Sequence, residues 1–277
     1  MKLSIVLISN HTFASLQQAL NSLTKACTNI DYELIIVDNS TTGSSVESIE
    51  TTFAELKVIH TAPDAGIAKA ANQAIKQCRG EYILLVDADT ICAKDSLDKI
   101  CAFMDEHPDA GGVGVRMLST EGRFLPESIH GLTMPWAVFF KLIGFAKHLS
   151  KTRLYDRNRK DWVEEFQITE IDIVNSSFML LRSSVLNETG LFDERFVMFG
   201  HNIDLSYRIR LAGFKNYYFP KTYIIHSESN SLAKFSWSYI KYFYGAMLIF
   251  AMKYLFRLPE IKVQGLPQVV STVFDVK

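Results

Sequence analysis

The sequence predicts an α/β protein: a single, mainly parallel mixed sheet flanked by helices, with a C-terminal helical extension. Three observations carry that expectation. Short apolar, β-branched runs alternate with helical stretches over the first 90 residues, the pattern of a parallel sheet covered on both faces. Two of those runs end in carboxylates, VDNS at 37–40 and VDADT at 86–90. No internal repeat, low-complexity segment or long linker divides the 277 residues, so one domain over 1–231 followed by an aromatic-rich extension over 232–277 is the economical organisation.

The elements follow in order. LSIVLIS (3–9) is nearly all apolar, as in a strand buried on both faces. LQQALNSLTKA places Leu16, Leu20 and Leu23 at helical spacing. YELIIVDNS (32–40) and LKVIHTA (56–62) read as strands, AGIAKAANQAIKQC (65–78) as a helix and YILLVDADT (82–90) as a fourth strand. ICAKDSLDKICAFM then reads as a helix, which Asp89 would N-cap, and GVGVRML (112–118) as a strand. IDIVNSSFMLLRSSVL (171–186) reads as strand then helix, and LSYRIRLAG as a helix that Asp204 would N-cap. YYFPKTYIIHSES (217–229) is a late strand with His226 near its end.

Two regions are less regular. MPWAVFFKLIGFAKHL (134–149) and the basic KTRLYDRNRK (151–160) fit a mobile lid or acceptor-facing insertion, and equally a surface helix with a solvated loop. In SWSYIKYFYGAMLIFAMKYLFR (236–257), Lys241 and Lys253 leave 11 uncharged residues between them, whereas a membrane span needs about 20. The expectation is an amphipathic or buried helix, with a peripheral bilayer contact and a homodimer contact both compatible with its composition.

Bulk properties exclude some classes. A net charge of −1 gives no reason to expect nucleic acid as a partner. Cys27, Cys78, Cys92 and Cys101 form no CxxC pair, and no signal peptide is evident, so they read as reduced thiols of a cytoplasmic protein. The stretch after the first strand, SNHTFASLQ, has no glycine, against a nicotinamide dinucleotide fingerprint or the glycine-rich phosphate loop of a nucleotidyltransferase.

Right-handed crossovers place the carboxyl ends of parallel strands on one edge of the sheet, where ligands bind. Asp38, Asp87 and Asp89 fall there. Residues i and i+2 of an extended chain project to one side, so Asp87 and Asp89 can converge on one cation, and Mg²⁺ binds through one or two carboxylates plus substrate phosphates. VDNS fits either an Asx-type turn or an acid, Asp38, accepting hydrogen bonds from a nucleobase or ribose. Gly66 opens the helix at 65–78, where free backbone N–H groups favour anionic or polar ligands.

The ordered set SIVLIS, VDNS, DAGIAKAAN, GEYILLVDADT, DIVNSSFMLLRSSV, GLFDERFVMFG, DLSYRIRLAGF and IIH resembles the family 2 glycosyltransferases, of GT-A fold, from residue 3 to about 231. Within them it is most similar to rhamnosyltransferase-like enzymes of bacterial cell-surface polysaccharide synthesis. The resemblance implies a nucleotide-diphosphate-sugar donor and a divalent metal (Mg²⁺ or Mn²⁺). The expected acceptor is a glycan or lipid-linked glycan. The aromatic, lysine-bearing C-terminal helix suggests a lipid carrier at the inner face of the membrane, although a buried dimer contact would look the same. The resemblance also implies that Asp38 contacts the base, with Asn39, Gly66 and Asn72 also on the donor, and that Asp87 lies near the ribose. Asp89 then binds the metal on the diphosphate, joined by His226, which otherwise reads as a lone histidine closing a strand. Imidazole suits Mn²⁺ better than Mg²⁺.

One departure bears on the chemistry. The family's segment after FDE reads glutamate, aspartate, any residue, aspartate, leucine, and its first aspartate is the general base of an inverting transfer. Here the matching residues are His201, Asn202, Ile203 and Asp204, and an amide at Asn202 cannot accept a proton near neutral pH. Three readings stand: a substitute base among His201, Asp204 and Glu228; a donor-binding pseudoenzyme or partner subunit; or an introduced substitution that traps a complex. Asn10-His11 replaces the family's tyrosine–asparagine, and Asn175-Ser176-Ser177 replaces small glycine–alanine residues, making that side more polar.

Overall fold

The apolar N-terminal run forms β1 (Leu3–Ser9), and the first half of the sheet is built around it. β2 (Tyr32–Asp38) pairs with one side of β1, and β3 (Leu56–His60) pairs with β2, all parallel. β4 (Tyr82–Asp87) lies parallel on the other side of β1. The computed structural model describes residues 1–9, 13–39, 56–62, 65–130, 139, 165–226 and 237–254. Beyond β4 the sheet is mixed. It contains β5 (Thr90–Cys92), β6 (Ala110–Leu118), β8 (Phe178–Arg182) and β9 (Lys215–His226) in the order β3-β2-β1-β4-β8-β6-β9-β5. β7 (Thr169–Ile171) pairs with β9 off that path.

Alternation along the strands fills two layers. Leu3, Ile5 and Leu7, with Tyr82, Leu84 and Val86, pack against α1 (Phe13–Ala26) through Leu16, Leu20 and Leu23. The opposite face, with Val6, Ile35, Val37, Ile83 and Leu85, meets α2 (Ile67–Ile75), whose Ala68, Ala71 and Ala74 allow close approach. α3 (Ser96–Glu106) joins the first layer, and α5 (Ser183–Thr189) and α6 (His201–Leu211) join the second. The short α4 (Glu127–His130) follows β6.

Three expected boundaries move. Thr90–Cys92 forms a strand instead of a helical turn, because it pairs antiparallel with Ile224–His226. α3 therefore starts at Ser96 with left-handed Asp95 at its cap position, and Asp89 caps no helix. The strand expected from 171 is broken: β7 ends at Ile171 and β8 begins at Phe178, leaving Asp172–Ser177 as a connecting segment. α6 begins at His201 rather than beyond Asp204, with Gly200 at the cap position in the left-handed region (φ 85°), so Asp204 sits in the first turn. The stretches 134–149 (apart from Phe139) and 151–160, the Asn10-His11 pair and Glu228 lie outside the described residues.

The C-terminal helix α7 (Trp237–Tyr254) lies on α6. Its Phe243, Ala246, Met247 and Phe250 share a core with Ile173, Phe196, Ile203 and Tyr207. A polar latch fixes it further. Asp204 is fully buried and accepts hydrogen bonds from Arg208 Nε at 2.9 Å, Lys253 Nζ at 2.7 Å and the Tyr254 hydroxyl at 2.7 Å. Lys253 also reaches Asp193 at 2.9 Å, which Arg195 pairs from the other side. Burial works against an ionised Asp193, but the hydrogen bonds and charges of Arg195 and Lys253 prevail and hold its carboxyl well below the usual range. Among the described residues, no helix is long and apolar enough to cross a membrane.

Removing the latch carboxylate leaves Arg208 and Lys253 without their shared partner. Losing one side of a buried pair costs about 3–5 kcal/mol, and Lys253 keeps Asp193, so Asp204→Asn should lower the urea-unfolding free energy by about 3 kcal/mol. Tyr254→Phe removes one charge-assisted hydrogen bond and should cost about 1.5 kcal/mol in the same measurement.

Candidate functional site

Asp87 closes β4, Asp89 stands two residues on and immediately before β5, and His226 closes β9. The β5–β9 register sets Thr90 opposite His226, which carries the imidazole to the acids. One ligand atom from each of Asp87, Asp89 and His226 lies within 4.8 Å of the others. Around an ion with bonds near 2.1 Å, donor atoms stand roughly 3–4.2 Å apart, so this spacing is close to that of a coordination shell. Two carboxylate oxygens and an imidazole nitrogen form a donor set suited to Mn²⁺, and the carboxylates alone suit Mg²⁺.

The imidazole is oriented at both nitrogens. Nδ1 lies 3.4 Å from Asp89 Oδ1 and 3.5 Å from Thr90 Oγ1, while Nε2 lies 3.4 Å from Ser177 Oγ. The Ser177 carbonyl accepts the Asp87 backbone N–H at 3.2 Å. Ser177 thus ties one acid and the histidine together, as groups behind metal ligands commonly do. The sequence placed it in a polar segment and gave it no role, because its partner lies 49 residues away.

Asp38 ends β2 on the same edge, with β1 between it and Asp87, which sets the two roughly 10 Å apart by strand spacing. It is outside the metal-type cluster. Its Oδ2 lies 3.5 Å from His60 Nδ1 on β3, and Asn39 Oδ1 accepts the Thr61 hydroxyl at 3.1 Å.

Gly66 and Asn72 are engaged with protein. The Ile67 N–H that follows Gly66 donates to Val197 O at 2.8 Å, so this helix start does not offer that N–H to a ligand. A Cβ on Gly66 would stand 2.8 Å from the same carbonyl, and its φ of 78° is left-handed. Asn72 donates from Nδ2 to Phe192 O (2.9 Å) and Glu194 Oε1 (3.0 Å), and accepts the Phe192 N–H at 3.0 Å. Both residues fasten α2 to the 192–197 stretch that leads into α6.

On α6 none of the three expected positions offers an open carboxylate. His201 is buried, edge-on to Phe192 at 5.5 Å, and burial pushes its pKa down to about 4, so the ring is neutral and weakly basic at pH 7. Asn202 Nδ2 donates to Val174 O at 2.9 Å, and the Val174 N–H donates to Ser206 Oγ at 3.1 Å. One turn of α6 therefore brackets Val174, three residues before Ser177. Asp204 is the latch described above. The bracket was not legible in the sequence, since an amide and a serine four apart carry no signal until their partner's position is known.

The sequence profile described as Glycosyl transferase family 2 matches residues 4–187. The N-acetylglucosaminyl-diphospho-decaprenol L-rhamnosyltransferase of Mycobacterium tuberculosis is 22% identical over 244 residues, 84% of this chain and 78% of that protein. The poly(ribitol-phosphate) beta-N-acetylglucosaminyltransferase TarS of Staphylococcus aureus is 30% identical over 139 residues, 49% of this chain and only 24% of that protein. Among solved structures, S. aureus TarS 1-349 with UDP-GlcNAc superposes with a TM-score of 0.61 at 20% identity, covering 91% of this chain and 66% of that one. GalNAc-T7 with UDP, GalNAc and Mn²⁺ gives 0.59 at 15% identity, covering 82% and 44%. The sheet and its flanking helices are those of the GT-A fold.

His201 makes a pH-dependent contribution of known sign. Above about pH 6.5 its ring is neutral folded and unfolded. Between about pH 6.5 and pH 4 the unfolded chain takes up a proton that the folded chain refuses, so stability falls as the pH drops, by up to about 3 kcal/mol. His201→Gln should flatten that part of the curve relative to the parent protein, read from urea unfolding at stepped pH.

Proposed function

The chain belongs to glycosyl transferase family 2, and we propose that it moves a sugar from a nucleotide-diphosphate sugar to a glycan or lipid-linked glycan acceptor, inverting the anomeric carbon, with Mg²⁺ or Mn²⁺ on the diphosphate. The observation that supports this most is the convergence of Asp87, Asp89 and His226 at the carboxyl edge of the parallel strands. Asp38 and Asn39 face the base, Asp87 the ribose, and Asp89 with His226 the cation. A bound cation supplies charge stabilisation for the departing diphosphate. Gly66 and Asn72 serve the donor one step back, by holding the wall in front of α6. Residues 1–231 carry donor and acceptor, and within 232–277 the helix α7 braces the acceptor side. The name of the mycobacterial relative supports the lipid-linked acceptor, and such an acceptor is consistent with action in the cytoplasm at the inner membrane face.

In the transfer, the acceptor hydroxyl oxygen bonds to the anomeric carbon as the bond from that carbon to the diphosphate oxygen breaks. The electron pair leaves with the nucleoside diphosphate, and the hydroxyl proton must go to a base or to water. Asn202 holds Val174 and takes no proton, His201 is buried and weakly basic, and Asp204 is held by cations. We therefore expect a transferase that lacks base assistance at the usual position and turns over roughly 10²–10⁴-fold more slowly than one that has it. The amide at Asn202 also favours a second reading, a donor-binding partner of an active transferase.

Calorimetry of UDP-, dTDP- and GDP-sugars with and without Mn²⁺ tests the donor site. One donor should bind only with metal, and Asp89→Asn or His226→Ala should weaken it about 10–100-fold. Metal-independent binding that both variants leave intact contradicts the assignment. Sugar release with and without acceptor separates the two readings. Asn202→Asp, which forfeits the Val174 bond at a cost of about 1 kcal/mol, should raise transfer in a slow enzyme and leave a binding subunit inactive.

A further inference from the structure

Trp237, Lys241, Tyr244, Leu248 and Met252 follow one another along α7 at intervals of three or four, so they form a single stripe. The stripe faces away from the core: Trp237 is 81% exposed, Tyr244 and Leu248 are 59% exposed, and Met252 is 40% exposed. The opposite face, with Phe243, Ala246, Met247 and Phe250, already packs on α6. Among the described residues, none packs the stripe into a core.

Its chemistry identifies what it fits. α7 contains no acidic residue, and its two charges are Lys241 and Lys253, the latter turned inward to Asp193 and Asp204. Trp and Tyr are the side chains that settle at a membrane–water boundary, with an apolar ring and a polar tip, and Lys241 adds a cation among them. The four apolar side chains expose on the order of 500 Å², against roughly 800 Å² per partner in a stable protein interface. A bilayer needs no such matching area.

The stripe also lies in a useful place. Phe199, just before the start of α6, meets Tyr239 and Phe243 at 5.3 and 5.4 Å, while Tyr207 meets Phe250 and Tyr254 at 6.0 and 4.9 Å. α7 thus runs beside α6 in the same direction, with its Trp237 end next to the turn that carries His201 and Asn202. We propose that the outer face of α7 rests on an anionic bilayer surface and so sets the acceptor end of the site against the membrane. The docking itself stands on the stripe; its use for a lipid-linked acceptor rests on the proposed function.

Co-sedimentation of the full chain with vesicles tests it, without donor or acceptor. Vesicles of phosphatidylglycerol and phosphatidylethanolamine should retain the protein, and phosphatidylcholine vesicles should retain less. Trp237→Ser with Leu248→Ser should reduce retention at least about tenfold while donor binding and circular dichroism stay unchanged, since neither residue touches the site or the core. Retention untouched by the double variant, or no retention on any vesicle, overturns the proposal even if the donor site proves correct. A concentration-dependent dimer that the same variant dissolves assigns the face to a second copy and overturns it too. Loss of donor binding in the parent protein would count against the proposed function alone.

Discussion

The antiparallel register between the three-residue β5 and the end of β9 is the constraint on which the site depends. It sets Thr90 opposite His226, residues 136 apart in sequence, and carries an imidazole to two acids that the chain itself places two apart. Without it, Asp87 and Asp89 would end a buried strand as two neighbouring carboxylates with nothing to complete a donor set. With it, the pair becomes one side of a cluster whose other side is the far end of the sheet.

The remaining architecture holds that edge in place. β1 lies between β2 and β4, so the ends carrying Asp38 and Asp87 flank it in fixed register. Gly66 and Asn72 fasten α2 to the stretch before α6, and α6 grips Val174 through Asn202 and Ser206. Val174 leads within three residues to Ser177, which touches His226 and Asp87. A continuous path of backbone and hydrogen bonds therefore joins the acid-and-histidine cluster to Asn202 in the first turn of α6. At that position this chain uses an amide as a hydrogen-bond donor, a role an ionised carboxylate cannot fill.

Much of this was legible before any coordinates. The strand–helix alternation to residue 90 gave the parallel half of the sheet, because apolar runs that end in acids leave few other arrangements. The spacing of Asp87 and Asp89 set two carboxylates at the carboxyl edge of the parallel strands, where the structure has them. What the sequence did not show has a common cause. Thr90–Cys92 looked helical because its strand character comes from pairing with residues far along the chain. Asp204 looked like a cap or a substitute base because Lys253 and Tyr254, which occupy it, lie some 50 residues on. Gly66 and Asn72 are fastened to Val197 and Phe192, partners that nothing local in the sequence announces. Local pattern showed which residues were polar and buried, and tertiary contacts decided what each was for.

The central claim is that Asp89 and His226 hold one divalent cation beside Asp87. Anomalous diffraction from crystals grown with Mn²⁺ and UDP addresses it most directly. The account predicts a manganese peak bonded to Asp89 and the His226 imidazole, beside Asp87 and facing the diphosphate. A diphosphate bound at this edge with no manganese at those side chains, or manganese bound elsewhere on the chain, would contradict it.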